Sequence, residues 1–444
     1  MNVFIKTYGC QMNERDSEAF AGMLVKAGHT VVWSEEEADV LLFNTCSVRE
    51  QAERKAIGKI GYMKKLKAVR PEIIIGALGC MAQARGETLF RELPHLDFVL
   101  GTGQLHTIVP LIESIREDRR HVANVAESAA VLTGMGSHYA PMTGSWHGQI
   151  AITRGCNRFC SYCIVPYVRG REISREIGDV LDEARMLVDQ GCREIMLLGQ
   201  NVAAYGLGGN VNAPAPDHSP FADLLAEMNK IEGLLRIRFT SPYPTYFNTK
   251  LISTIAECEK VCHNIHLPLQ SGSDRILKLM NRQYTRASYM EVVNNIRAAL
   301  PDVTFSTDVI VGFPGETHDD FLMTRDVMNE VGFDNSFIFK YSPRPGAKSS
   351  FVEDSVPQEV KEERNQILLG DLKNRVEANL KQLVGSVQEV LVEGESPRNP
   401  DRWCGKTGNS RLIHFEPDDG IQAGTLRKVL VKRAGTVSLS GELI

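Results

Sequence analysis

No stretch of the 444 residues is apolar for the roughly 20 positions a membrane-crossing helix needs. Hydrophobic runs are short and interrupted, and mean hydropathy is −0.17. No charge of one sign dominates either. Fifty basic residues face fifty-five acidic ones, a net charge of −5, which excludes a globally polycationic nucleic-acid binder but not a local basic face. The opening residues, Met1-Asn2-Val3-Phe4-Ile5-Lys6, lack the apolar core and small-residue cleavage site of a secretory leader. A cytoplasmic protein with no membrane partner is therefore expected. What is present, 43% hydrophobic and 24% charged residues, excludes dominant disorder and predicts about three domains for this length.

Ten cysteines stand at 10, 46, 80, 156, 160, 163, 192, 258, 262 and 404. In an intracellular chain of this size cysteines point to metal binding or catalysis before a disulfide framework. Cys192, Cys258, Cys262 and Cys404 have no third partner at metal spacing and are assigned to packing.

In the first third, 2–8, 38–43, 72–78 and 97–100 read as strands, the inner ones as continuous apolar runs suited to burial on both faces. Helical stretches lie between them, one opening at a capping Asn13 and running to Lys26, another running to about Ala68. This alternation predicts an open parallel α/β sheet, whose ligands bind beyond the carboxyl ends of the strands. Cys10, Cys46 and Cys80 each stand just past a strand, at that edge. Three buried packing thiols are the bland alternative. A structural zinc site prefers four protein ligands, whereas three thiolates suit an iron–sulfur cluster with one iron open.

The middle third follows a Gly/Ser/Pro-rich stretch, Gly134–Gly148, read as a linker. Strands are predicted at 149–154, 193–198, 235–240, 264–267, 303–311 and 335–341, six βα units where a full barrel has eight. Directly after the first comes Cys156-Asn157-Arg158-Phe159-Cys160-Ser161-Tyr162-Cys163, three cysteines at CxxxCxxC spacing in one loop. No His, Cys or Asp follows at zinc-finger distance. Three ligands hold three irons of a 4Fe–4S cube and leave the fourth for a chelating small molecule.

This loop resembles the signature of radical S-adenosylmethionine (SAM) enzymes. The resemblance implies that the open iron chelates SAM, that an electron from the cluster cleaves it to a 5′-deoxyadenosyl radical, and that Tyr162 approaches the adenine. It also implies cofactor contacts from Gly199, Gln200 and Asn201, from Ser241, from His266, Gln270 and Ser271, and from Asp308, Ile310 and Gly312. Each lies at a predicted strand end, and each alone is weak: His266 could be a satisfied core histidine and Gly312 a turn. Arg169, Arg171, Arg238 and Lys406 are candidate substrate contacts, although a solvated charged face explains such residues about as well. Arg175 and Arg236 stand in the same segments.

In the last third a charged helix, Gln358 to Lys381, precedes short strands of period-two alternation separated by glycine turns. A small antiparallel β-barrel of about 60 residues is predicted. From 384 onward eight basic residues face eight acidic ones, the basic ones clustering around Arg402–Lys406 and Arg427–Arg433. Its place after a radical SAM domain is similar to the RNA-binding TRAM module; a stabilising cap is the alternative. Another basic stretch, Arg49 to Arg70, carries eight basic residues against two acidic ones beside Cys46.

The expected domains are 1–134 (α/β), 135–147 (linker), 148–380 (a partial (β/α)6 radical SAM barrel) and 381–444 (TRAM-like barrel). Their order resembles the radical SAM methylthiotransferase family over essentially the whole chain. Gly199–Val202, Arg236–Pro242 and Phe337–Gly346 are most similar to the branch acting on N6-isopentenyladenosine at position 37, beside the tRNA anticodon. The resemblance implies a methylthio group inserted at carbon 2 with one SAM for methylation and one for the radical. It further implies two 4Fe–4S clusters, the auxiliary one on Cys10, Cys46 and Cys80. As partners it implies a tRNA anticodon stem-loop, a flavodoxin- or ferredoxin-type electron donor and a sulfur source, with the chain a monomer. Sister branches act on threonylcarbamoyladenosine of tRNA or on a ribosomal-protein aspartate. A non-enzymatic iron–sulfur RNA-binding or redox-sensing protein is the competitor from another class. The insertion Gly206–Pro220 is longer than the resemblance leads one to expect.

Overall fold

A computed structural model describes residues 1–118, 120–125, 136, 138, 146–209, 214–397 and 399–444. Most of the Gly134–Gly148 stretch, the middle of the Gly206–Pro220 insertion and Arg398 lie outside the described residues.

The first unit is a six-stranded parallel sheet of order β2-β1-β3-β4-β5-β6. Its strands are β1 (Asn2–Thr7), β2 (Thr30–Val32), β3 (Val40–Thr45), β4 (Ile74–Gly79), β5 (Phe98–Leu100) and β6 (Val122–Asn124). β3 and β4 are buried at every position. Leu41, Phe43, Ile75 and Ala77 face one core while Val40, Leu42, Ile74 and Leu78 face the other, as period-two alternation requires. Its helices are α1 (Gln11–Lys26), α2 (Glu50–Tyr62), α3 (Lys64–Val69), α4 (Cys80–Arg85), α5 (Thr88–Glu92) and α6 (Ile108–Glu117). Edge strands β2 and β6 have three residues each, too short to show a pattern in the sequence. Two expectations are corrected. Cys10, not Asn13, is the N-cap of α1, and the helix expected to reach Ala68 divides at Met63, just after the weak helix formers Gly58 and Gly61.

α1 buries Asn13, Arg15, Asp16, Ser17 and Glu18, because it lies between this sheet and the central unit. Its Met12 packs on Ala151 and Leu198.

The central unit carries β7 (His147–Ala151), β10 (Glu194–Leu198), β11 (Arg236–Phe239), β12 (Asn264–His266), β13 (Thr304–Val311) and β14 (Asn335–Lys340). A small antiparallel pair, β8 (Thr153–Arg154) with β9 (Ile173–Ser174), flanks the loop after β7. The six form two parallel sheets, β7-β10-β11 and β12-β13-β14, linked by a parallel bridge between Ile237 and Val261. The result is an open six-stranded arc with β7 and β14 at its edges. Ile150, Ile195, Leu197, Ile237, Phe305 and Val309 point outward into one large core. That core is shared with α8 (Ile177–Asp189), α9 (Pro220–Asn229), α10 (Thr249–Glu257), α12 (Arg286–Ala299) and α13 (His318–Val331). The alternate residues face the interior. Two short helices, α7 (Val165–Arg169) and α11 (Asp274–Leu279), border the site described below.

α14 (Gln358–Lys381) leads into a closed five-stranded barrel of order β15-β16-β17-β19-β18. The strands are β15 (Val387–Ser396), β16 (Asn399–Thr407), β17 (Leu412–Phe415), β18 (Leu426–Ala434) and β19 (Leu439–Leu443). The purely antiparallel expectation is corrected at one seam, where β17 and β19 run parallel. An odd number of strands cannot alternate direction all the way round a closed ring. No helix among the described residues is long and apolar enough to cross a membrane.

Candidate functional site

The loop after β7 is tied down from several sides. The Cys156 N–H donates to Gly170 O (3.0 Å) and the Cys163 N–H to Cys160 O (3.0 Å). The Arg158 N–H donates to Cys156 Sγ (3.4 Å). Ser161 donates from both N–H and Oγ to Met280 O and Leu279 O, and Asn281 Nδ2 donates to Phe159 O. From the insertion, Gly209 O accepts from Asn157 Nδ2 at 3.0 Å. Burial pushes the Cys156 thiol up to about 12. It also raises Cys163, with Cys160 and Cys156 adding to the effect, so the three sulfurs feel one another. Beside them lies a cation the sequence reading missed. Arg282 Nη1 stands 3.5 Å from Cys160 Sγ, its guanidinium stacked 4.2 Å over Tyr243 and 4.9 Å over Tyr284.

The candidate cofactor residues gather at this end of the arc. Gln200 Oε1 and Asn201 Nδ2, after β10, are buried with no hydrogen-bond partner among the described residues. Asn201 Oδ1 accepts from the Tyr243 N–H (2.9 Å), which fixes how that amide points. Ser241 and Gln270 both hold left-handed backbone (φ 61° and 67°), strain that clusters where side chains must be aimed. Tyr162 and Ile310 pack on the same small cluster of Ile276, Met280, Phe313 and Tyr341. His266 bonds Ser306 Oγ (3.0 Å) and Asp308 Oδ2 (3.3 Å). Gly199 presses against Thr153, and the Gly312 N–H donates to Glu316 (2.7 Å). Ser271 is the exception: it is fully buried and bonded to Thr324 and Ser273, facing away from the others.

The second triplet assembles from three strand ends. Gly9 (φ 140°) lets the loop after β1 close on Cys46, whose Cβ would lie 2.6 Å from any Cβ at Gly9. Gly79 (φ 91°) likewise brings β4 against the Thr45 carbonyl. Asn13 accepts from the Cys10 thiol at 3.2 Å and donates to Asn44 and the Thr45 carbonyl, cross-linking two of the strand ends. Burial raises the Cys46 thiol and lifts Cys80 to about 11. Arg169 opposes that lift, while Cys46 and Cys10 add to it.

The two triplets share a wall. Cys80 packs on Ile164 and Val168, in the turn and helix that directly follow Cys163. Arg169, at the end of α7, is buried and donates to Asp16 Oδ2 (3.0 Å), and Arg154 stands 3.2 Å from the other Asp16 oxygen. Burial works against the Arg169 charge, but Cys80 and Asp16 more than offset it and hold it ionised. Its Nη1 has no partner among the described residues.

Among the described residues no three His, Cys, Asp or Glu side chains converge tightly enough for a single metal ion. Sulfurs that hold different irons of one cube stand farther apart than the ligands of one ion, so a cluster does not require such convergence. The donor sets fit: three thiols each, with the buried Arg169 guanidinium beside one set and the partly exposed Arg282 guanidinium beside the other to balance an anionic cluster.

Residues 150–328 match the radical SAM superfamily, 381–444 the TRAM domain, and 2–101 the uncharacterized protein family UPF0004. A protein of Akkermansia muciniphila named tRNA-2-methylthio-N(6)-dimethylallyladenosine synthase is 44% identical over 453 residues, covering 99% of this chain and 98% of the relative. Identically named proteins of Moorella thermoacetica (44%; 99% and 98% covered) and Opitutus terrae (41%; 100% and 97% covered) match as fully. The chain belongs to the tRNA-2-methylthio-N(6)-dimethylallyladenosine synthase family. Radical SAM membership makes it an enzyme that takes SAM and a 4Fe–4S cluster, and the synthase relatives do not favour the sister substrates or a non-enzymatic sensor. In fold it is similar to the radical SAM methyltransferase TsrM of Kitasatospora setae (TM-score 0.58, 13% identity, 87% of this chain and 78% of that one). It is also similar to the cobalamin-dependent radical enzyme OxsB (TM-score 0.54, 12% identity, 85% and 56% covered).

Within this synthase fold two candidate substrate arginines are occupied elsewhere. Arg169 is the buried cation between the triplets. Arg238 is buried in an ion pair with Glu194 (2.7 Å) and donates to Thr407 O, Gly408 O and Ser410 Oγ, seating the C-terminal barrel under the arc. Arg236 assists by donating to Glu389 O and Lys406 O. Arg171 is exposed, its guanidinium 4.6 Å over Phe159, and Lys406 is exposed and paired with Glu393 (2.7 Å).

Proposed function

We propose that the chain places a methylthio group on carbon 2 of N6-dimethylallyladenosine at position 37 of tRNA, using one SAM as methyl donor and a second as radical source. The observation that carries this reading is the shared wall, Cys80 on Ile164 and Val168, with Arg169 beside it. It brings two three-thiol sets to one mouth, which a reaction needing both hydrogen abstraction and sulfur delivery requires.

Cys156, Cys160 and Cys163 would hold the SAM-binding cluster, and Cys10, Cys46 and Cys80 an auxiliary one. When bound, these clusters supply the electron that cleaves SAM and the sulfur that is transferred. The protein's own residues do the rest. Gln200 and Asn201 offer an unsatisfied acceptor and donor to the amino-acid end of SAM. Tyr162, Asp308, Ile310 and Gly312 would border its adenine, His266 and Gln270 would lie toward its ribose and carboxylate, and Ser241 would add a further contact. Met12, Ala151 and Leu198 close an apolar contact between the two units and keep water from a reactive carbon centre. Arg282 and Arg169 hold positive charge beside the two thiol sets.

A tRNA anticodon stem-loop is bound by Arg171, Lys406 and the basic α2–α3 face. There Lys59 and Lys65 flank the exposed Tyr62 ring at 5.6 and 5.0 Å. The chain acts as a cytoplasmic monomer, reduced by a flavodoxin- or ferredoxin-type donor and resupplied with sulfur. Nucleoside mass spectrometry of tRNA from cells with and without the chain tests this. The 2-methylthio derivative of dimethylallyladenosine disappears without it, and its persistence refutes the reading.

A further inference from the structure

Phe337 and Phe339 are 45% and 40% exposed although both sit in a strand of the central arc. β14 is an edge, paired to β13 alone, with Phe337 level with Asp308 and Phe339 level with Ile310. The Phe337 ring lies 6.2 Å from the His266 imidazole, which itself bonds Ser306 and Asp308. The pair therefore faces the interior of the arc and not its helices. The two rings are parallel within 12° and 6.5 Å apart, the two-residue repeat of a strand. One strand away, Ile310 shares its packing cluster with Tyr162 of the cysteine loop. Two exposed ring faces thus form an apolar wall on the open flank of the arc, continuous with Ile310 and beside polar interior residues His266 and Asp308.

The substrate class in the relatives' name supplies a matching surface. A dimethylallyl group is five carbons without a polar atom. In adenine, carbons 2 and 6 flank N1, so a substituent on N6 leaves the ring beside carbon 2 and not opposite it. When carbon 2 faces the clusters, that substituent runs along the interior wall. We infer that Phe337 and Phe339 receive the dimethylallyl group and make the enzyme selective for isoprenylated adenosine; the inference rests on the function proposed above. The ring faces offer no donor to the carboxylate of a threonylcarbamoyl substituent, so the same wall disfavours that nucleoside.

The test uses the full chain, reconstituted without oxygen, and two anticodon stem-loop RNAs that differ only in the dimethylallyl group at the reacting adenosine. Kd comes from fluorescence anisotropy and kcat/KM from mass spectrometry of the product. Phe337→Ala or Phe339→Ala is expected to cut the preference for the dimethylallyl RNA by about tenfold or more, chiefly through Kd and KM. Phe337→Leu and Phe339→Leu keep apolar bulk and most of the preference, and they carry the test if the alanine variants do not fold. Equal losses on both RNAs, or an unchanged preference, overturn the inference. If the wild type forms no methylthio product yet its binding preference falls in the variants, the wall stands and the proposed function fails.

Discussion

The two cysteine triplets reach one mouth by different routes. Cys156, Cys160 and Cys163 lie within eight consecutive residues, and their loop is held by a hydrogen bond from Asn281 and by those that Cys156 and Ser161 donate to the carbonyls of Gly170, Leu279 and Met280. Cys10, Cys46 and Cys80 span seventy residues and depend on the register of three parallel strands, on two glycines with positive φ, and on Asn13. The first set is a property of a loop and the second a property of a fold. Damage to the α/β sheet should therefore disable the second set while leaving the first intact.

The largest effects come from the ligands themselves. Cys156→Ala is expected to abolish 5′-deoxyadenosine formation, read by chromatography. Cys10→Ala spares it to within about a factor of two and blocks methylthiolation. Iron analysis should fall from about eight to about four atoms per chain in either variant. Retained methylthiolation in Cys10→Ala would break the comparison.

The guanidiniums sharpen it. Arg169→Met leaves Asp16 with one partner in a buried site and should cost about 3 kcal/mol in urea unfolding. Arg282→Met leaves no such carboxylate stranded. Removing a cation beside a Cys160 thiolate should instead move the cluster midpoint to more negative potential, measured by titration followed by electron paramagnetic resonance; Arg282→Lys restores most of it.

Glu194 supplies a pH signature remote from either triplet. Burial works to raise its carboxyl, but His147 and Arg238 prevail and hold it at about 2. A depressed folded-state value adds stability that is complete above the ordinary glutamate range. It is lost as pH falls from about 4.5 toward 2, a swing on the order of 3 kcal/mol. Denaturation of wild type against Glu194→Gln across that window isolates it, since acid loss of the clusters is common to both. The smallest effect belongs to Lys406→Ala, an exposed pair worth under about 1 kcal/mol of stability. Its signature is a slope of log affinity against log salt reduced by about one.

The sequence exposed what is periodic or local. Runs such as Val40–Phe43 and Ile73–Leu78 carry their burial in composition, and CxxxCxxC is a contiguous pattern. It hid what depends on a partner far along the chain. Asn13, Arg15, Asp16 and Glu18 are the residues of a solvent-facing helix until the central arc covers them, and Arg169 and Arg238 read as surface charges until Asp16 and Glu194 pair with them. Charge is visible in a sequence, whereas a carboxylate that neutralises it from 153 residues away, as Asp16 does for Arg169, is not. Arg282 escaped notice for a related reason: Tyr243 and Tyr284, which it packs against, form no motif with it. The parallel seam of the last barrel was deducible from strand parity once five strands were counted, but β19 is short and interrupted by Gly441.

Arg236 and Arg238 grip the last barrel chiefly through the carbonyls of Glu389, Lys406, Thr407 and Gly408, with the Ser410 hydroxyl and, at 4.0 Å, the Glu389 carboxylate as side-chain partners. Main-chain oxygens are the same whatever residue carries them. The outward face of that barrel is thus free to change its chemistry over generations, and so to follow a changing RNA, without ever losing its seat.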